Sequence, residues 1–272
     1  MYCKNSYEDR LLYWLSEIDA YMRANRRRYG LFGGGAVAAY IGHFPRKLHD
    51  IDLLVLPNDI QAISAFLASR GFEHLKSTKS TRARFLKFVL RNHIYELIVS
   101  IFPGEFTLLD VDSEDLKPLG VYDFSMALEK VERRQILSLA MNADGIRESV
   151  DVDAVPLEDL ILSKLWPTFE PNTVHDLLLL LTCPEISKLR WSYLQDRIEK
   201  ANSLRPYCLQ TLQMFERSYR ATAWYRLSAE KSRFDSTVVR LRAVVDEESD
   251  PTTPPPAALE GSTAKEDRWH RQ

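Results

Sequence analysis

Cysteine is scarce in this chain: Cys3, Cys183 and Cys208 are its only three in 272 residues. The number is odd and no pair has C-x-x-C spacing. A disulfide framework is therefore not expected, and a reduced, cytoplasmic chain is. The six histidines do not cluster with the cysteines at metal-ligand spacing, which argues against structural zinc. Long apolar runs are missing too. The densest, Leu177 to Leu181, falls far short of the ~18 residues that a membrane-spanning helix needs. Glu8, Asp9 and Arg10 break up the only early apolar stretch, so no secretory leader and no membrane partner are expected. Nor is there a strong excess of either charge. The formal net charge of −2 neither favours nor excludes a nucleic-acid partner, and local patches matter more. What is present is 45% hydrophobic residues, enough to bury a sizeable core in one or two domains.

Periodicity orders the first half of the chain. Residues 8–25 carry Leu11, Leu12, Leu15 and Ile18 at helical spacing. A strand is expected at Tyr29 to Phe32, then a turn at Gly33-Gly34-Gly35, then a helix opening near Ala36 and ending near Gly42. Residues 48–56 read as a strand, followed by a helix with Asn58 as N-cap and Gly71 as its stop. Residues 82–101 read as two strands around Arg91-Asn92-His93, and a helix is expected near Phe124 to Glu132. Beyond about residue 150, Pro156 opens a series of helices. The expectation is an α/β (α+β) fold with a small mixed sheet flanked by helices and a helical C-terminal part. Its bounds are 1–150 for the sheet domain, 151–245 for the helical domain and 246–272 for a Pro-, Glu-, Thr- and Ser-rich tail expected to be disordered.

The carboxylates carry the chemistry. Alternation along a strand puts Asp50 and Asp52 on one face, where they repel unless a cation lies between them. Mg²⁺ suits such a pair, because it takes oxygen ligands and bridges carboxylates to substrate phosphates. The alternative is a solvated D-x-D at a strand end. Glu96 sits in an apolar run, where a charge needs a partner or a metal, and it shares a face with Ile98 and Ser100. If its strand lies beside the D-x-D strand, three carboxylates converge and can hold two metals. Otherwise Glu96 pairs with Arg84 or Lys87. The glycine triplet allows close approach of a phosphate to backbone, or is simply a tight turn. Lys164 lies on an apolar helical stripe with Leu157, Leu160 and Ile161, and Asp176 is the acid placed to meet it. A basic stretch, Lys76 to His93, with Arg26 to Arg28, is either a groove for RNA or triphosphate or a solvated strand guarded by charge.

The order Gly34-Gly35-Ala36, Gly42, Arg46, Asp50-Ile51-Asp52-Leu53-Leu54-Val55 resembles the signature of the DNA polymerase β-type nucleotidyltransferase superfamily. It is closest to the branch holding AbiEii-type toxins and minimal nucleotidyltransferases. Pro156 to Leu165 and His175-Asp176-Leu177 resemble the later helices of that family, so the resemblance spans roughly residues 28–183.

The resemblance implies an Mg²⁺-dependent nucleotidyltransferase, with a two-metal site and an NTP as co-substrate. Asp50, Asp52 and Glu96 would be the catalytic and metal-holding acids. Gly34, Gly35, Arg46, Lys164 and Asp176 would form the nucleotide side. The acceptor would be a tRNA, with an antitoxin protein as a further partner, or the hydroxyl of an antibiotic. Three positions depart from the family pattern: Leu48 replaces a hydroxyl residue, Glu96 the commoner Asp, and His175 with Leu179 alters the K-D-x-x-D helix. These departures leave open a degenerate domain that binds a nucleotide or partner without chemistry.

Overall fold

The computed structural model describes residues 7–75, 86–91, 96–109, 118–141, 147–165, 171–220 and 231–246. The chain opens with α1 (Tyr7–Ala24), β1 (Tyr29–Phe32), α2 (Gly33–Ile41), β2 (Asp50–Val55) and α3 (Ile60–Ser69). Then come β3 (Glu73–Leu75), β4 (Leu86–Arg91), β5 (Glu96–Pro103), β6 (Glu105–Leu109) and β7 (Pro118–Asp123). A short α4 (Ser125–Glu129) leads to β8 (Glu132–Met141) and β9 (Arg147–Ala154). Helices follow: α5 (Leu157–Leu165), α6 (Pro171–Thr182), α7 (Trp191–Lys200), α8 (Arg205–Arg220) and α9 (Lys231–Asp246).

Among the described residues, seven strands form one mixed sheet in the order β3-β4-β5-β2-β1-β9-β8, and β6 and β7 form a separate hairpin. The fold is mixed α/β, with a small sheet flanked by helices and a helical C-terminal region. Its centre is β2, antiparallel to β1 and parallel to β5. Central strands must be apolar on both faces. Accordingly Ile51, Leu53, Leu54 and Val55 are buried, and polarity enters β2 only at its first and third residues.

Helix α1 seats Leu11, Leu12, Leu15, Ile18 and Met22 in the core, the stripe that its spacing predicts. Trp14 meets Phe72 edge-on, and Tyr21 stacks on Phe66 of α3. One acid interrupts the stripe. Asp19 is buried and accepts hydrogen bonds from the Tyr29 hydroxyl at 2.8 Å and from both terminal nitrogens of Arg133. Helix α2 packs on β1 and β2 and also against α5 and α6, so it joins the sheet to the helical region.

Several expectations need correction. Helix α2 begins at Gly33 itself, so the glycines form its first turn rather than a turn before it. Asn58 does not cap α3: a 3₁₀ turn at Pro57–Asp59 comes first, because Pro57 fixes that turn's entry. The helix expected to reach Glu132 stops at Glu129, and Glu132 opens a strand. That strand was hidden by charge, since Arg133 and Arg134 draw on the distant acids Asp19 and Glu185 as well as on Asp153 and the neighbouring Glu132. The expected boundary at residue 150 falls inside β9, which pairs with β1 and continues to Ala154. The expected disordered tail lies outside the described residues, except Asp246, which ends α9.

Candidate functional site

Asp50 and Asp52 open β2, on the face shared by alternate residues. Asp50 is exposed and Asp52 half-buried. At about 4 Å, two like charges repel by about 4 kcal/mol at an effective dielectric near 20. The strain falls on the more enclosed group. Burial, then the charge of Asp50, pushes Asp52 up to about 7, against the pull of Lys164, a hydrogen bond from Ser100 and the charge of Lys87.

The strand-to-helix junction beside Asp52 needs glycine for two reasons. Gly33 has φ +58°, a left-handed conformation that L residues avoid. A Cβ there would stand 2.1 Å from Asp52 Oδ2. The Asp52 carboxylate thus occupies the space that a side chain at the start of α2 would fill, near N–H groups that favour anions. The other two glycines do different work. A Cβ on Gly34 would meet Leu48 at 2.8 Å and Arg46 Nη2 at 2.9 Å, so its bareness lets the Arg46 guanidinium lie over the helix start. Gly35 is buried, and a Cβ there would meet Leu31 at 3.0 Å. Gly33, placed in the triplet but not among the expected nucleotide-side residues, is the glycine nearest the acids. Its place as the first residue after a strand was the available signal.

Arg46, Lys164 and Asp176 converge. Arg46 donates from Nε to Asp176 Oδ1 at 3.1 Å and from Nη2 to Oδ2 at 3.0 Å, a two-point grip that fixes the plane of the guanidinium. Lys164 donates to the same Oδ2 at 2.9 Å. Asp176 is 1% exposed on its side chain, whereas Arg46 keeps 23% and Lys164 12%. Burial raises the Asp176 carboxyl, but hydrogen bonds from Arg46 and the charge and hydrogen bond of Lys164 outweigh this and hold it below the usual range. Leu48 is buried beneath Gly34, where the family pattern has a hydroxyl residue, and His175 is exposed on α6.

Glu96 does not join the acids. β5 does lie beside β2, but the register sets Ile98 against Asp50 and Ser100 against Asp52. Glu96 falls one alternate position short. It faces Arg91 across the β4–β5 pair and accepts a hydrogen bond from Arg91 Nε at 2.6 Å, with both side chains about half exposed. Its partner among the described residues is therefore Arg91 rather than Lys87, and Arg84 lies outside the described residues. Among the described residues no three His, Cys, Asp or Glu side chains gather as a metal site, so the expected three-carboxylate set is not formed. Of the basic groove, Lys76 to Arg84 lie outside the described residues, and Arg27 is tied to Asp59. Among the described residues no helix is long and apolar enough to cross a membrane.

Neither protein-family models nor curated protein sequences match the chain. Solved structures do. The lincosamide antibiotic adenylyltransferase LnuA, with lincomycin bound, is similar at 17% identity over 64% of this chain and 95% of that one, with a TM-score of 0.41. The antibiotic-resistance factor ANT(2'')-Ia is similar at 14% identity over 79% of this chain and 100% of its own, with a TM-score of 0.43. An antigenic nucleotidyltransferase-like protein from Paracoccidioides brasiliensis is similar at 15% identity over 74% and 92%, with a TM-score of 0.39.

Proposed function

We propose that the protein transfers a nucleoside monophosphate from an NTP to an acceptor hydroxyl. The observation that carries this is the placement of Asp50 and Asp52 beside the glycine start of α2, with Arg46 and Lys164 held ready on Asp176. Two adjacent acids, one of them pushed up to about 7, form a donor set that a hard divalent cation would relieve. Asp50 and Asp52 would hold Mg²⁺, which when bound supplies positive charge to the triphosphate and acidifies a coordinated hydroxyl.

The chain's own residues supply the rest. Backbone N–H groups at the start of α2 receive phosphate oxygens. Arg46 and Lys164 face the charge that builds on pyrophosphate as it leaves. The acceptor oxygen bonds to the α-phosphorus, the bond from that phosphorus to the β-bridging oxygen breaks, and the hydroxyl proton passes to solvent. The AbiEii-type resemblance makes a tRNA end one acceptor to test, with an antitoxin as partner. The hydroxyl of an antibiotic is the other. A second reading, nucleotide binding without transfer, is favoured by one observation: Glu96 is engaged by Arg91.

The test is transfer of α-labelled NTP to tRNA, lincosamide and aminoglycoside acceptors with Mg²⁺. The expected result is labelled acceptor and pyrophosphate, with Asp52→Asn reducing the rate roughly 10³-fold, about 4 kcal/mol, while circular dichroism stays native. Mg²⁺-dependent NTP binding with no transfer to any acceptor would establish the second reading. Absence of binding would refute both.

A further inference from the structure

Asp52 is flanked from both neighbouring strands. On the β1 side its partner in the register is Phe32, and the next residue, Gly33, leaves room for Oδ2, which lies 2.1 Å from where a Cβ would stand. On the β5 side its partner is Ser100, 2% exposed. Residues paired across neighbouring strands share a face, so the Ser100 side chain points to the same side of the sheet as Asp52. Its hydroxyl donates a hydrogen bond to the Asp52 carboxylate. Such a bond to an ionised acceptor is among the stronger ones a side chain makes. Asp50 has Ile98 in the corresponding place and is exposed. β5 thus gives one acid a donor and the other an apolar neighbour.

We propose that Ser100 is a positioning residue: its hydroxyl makes Asp52 a one-oxygen ligand, and the site thereby selects a small octahedral cation over Ca²⁺. The proposal rests on the reading of the site as an Mg²⁺-dependent nucleotidyltransferase centre. Turning both Asp52 oxygens onto one ion would break the bond from Ser100 and would move Oδ2 from its seat over Gly33. Ca²⁺ takes 6–8 oxygen ligands at about 2.3–2.6 Å and readily accepts both oxygens of a carboxylate. Mg²⁺ demands near-ideal octahedral geometry at about 2.0–2.1 Å, which the narrow bite of a two-oxygen carboxylate spoils. A carboxylate held to one oxygen therefore costs Ca²⁺ a ligand and costs Mg²⁺ nothing. Ser100 acts through Asp52, the acid whose plane is fixed, and sets which cation the pair prefers.

The probe is Mn²⁺, followed by electron paramagnetic resonance on the full chain with one equivalent of a non-hydrolysable NTP analogue, then displaced by Mg²⁺ or by Ca²⁺. Turnover plays no part. The wild-type chain is expected to yield its Mn²⁺ to Mg²⁺ at a lower concentration than to Ca²⁺. Ser100→Thr keeps the hydroxyl and should hold that ratio within about two-fold. Ser100→Val has the shape of threonine without the hydroxyl and should shift the ratio toward Ca²⁺ roughly five- to ten-fold. Ser100→Ala, smaller than serine and so compatible with the buried position, should shift it the same way. A merely structural role would weaken both cations alike and leave the ratio where it was. An unchanged ratio in Ser100→Val and Ser100→Ala would overturn the proposal and leave the proposed function intact, and so would a wild type that prefers Ca²⁺. No protein-bound Mn²⁺ in the wild type would overturn both.

Discussion

Asp159 and Asp176 are both sealed carboxylates, and both are held by an arginine, yet their surroundings differ. Asp159 on α5 has no exposure, and its partner Arg197 has 2%. Arg197 Nε donates to Asp159 at 2.7 Å, Tyr193 adds its hydroxyl at 2.7 Å, and Arg197 also reaches the carbonyl of Asp123 beside the small hairpin. Every charge in that cluster is enclosed, and it fastens the helical region to the hairpin. Asp176 is nearly as enclosed, but Arg46 and Lys164 reach solvent next to Asp52. Burial of an acid therefore does not separate scaffold from site. Access to the cations that surround it does. Arg46 and Lys164 keep part of their surface in solvent, and Arg197 keeps almost none.

The comparison is sharpest where each cluster loses one member. Arg197→Met takes the guanidinium from a carboxylate with no water in reach. Removing one partner of a buried pair costs about 3–5 kcal/mol, and urea unfolding should show a loss of that size. Nucleotide affinity, measured below the new unfolding midpoint, should be unchanged. Asp176→Asn should behave the other way. An amide has one oxygen and one NH₂, so it cannot accept from Arg46 at both positions and from Lys164 as well. The guanidinium then loses its fixed plane. A misplacement near 1 Å can cost about 10²-fold in rate, so transfer should fall roughly 10- to 100-fold, with a stability loss of about 1–3 kcal/mol. If Asp176→Asn instead unfolds the protein as Arg197→Met does and leaves catalysis of the folded fraction intact, the distinction between the two clusters is lost.

The same contrast explains what the sequence could and could not convey. Lys164 and Asp176 were legible because a lysine on an apolar helical stripe needs an acid, and the next helix carried one. Asp50 and Asp52 were legible because alternation is a local rule. Glu96 was misplaced because parity alone cannot choose among Glu96, Ile98 and Ser100. Which of these stands opposite Asp52 depends on how β5 registers against β2, and that is set by pairing over many residues. That Ser100 stands opposite Asp52, and Lys87 opposite Ser100, was hidden for the same reason. β8 escaped recognition because Glu132, Arg133 and Arg134 look like a solvated run until their distant partners are known. The fold class was legible because the helices, the glycine start and the D-x-D strand each follow from local pattern.

Asp52 and Asp176 should also respond oppositely to pH. Asp176 has a lowered carboxyl, so its contribution to stability is present above the usual carboxylate range and is lost as pH falls through the lowered value. Asp52 has a raised one, at about 7, so the folded state binds its proton more tightly than the unfolded state does. Its favourable contribution is complete below the ordinary carboxylate value near 4 and is lost as pH rises through about 7. Metal-free protein should therefore gain thermal stability on acidification from pH 7.5 to pH 5, the window in which Asp52 takes up its proton and its repulsion with Asp50 ends. Asp52→Asn should flatten that rise, because an amide is neutral throughout. Mg²⁺ should flatten it too, by stabilising the ionised pair at the upper end. Equal slopes in the wild type and in Asp52→Asn would show that the two acids do not strain each other, and the physical reason for a cation between them would go with that result.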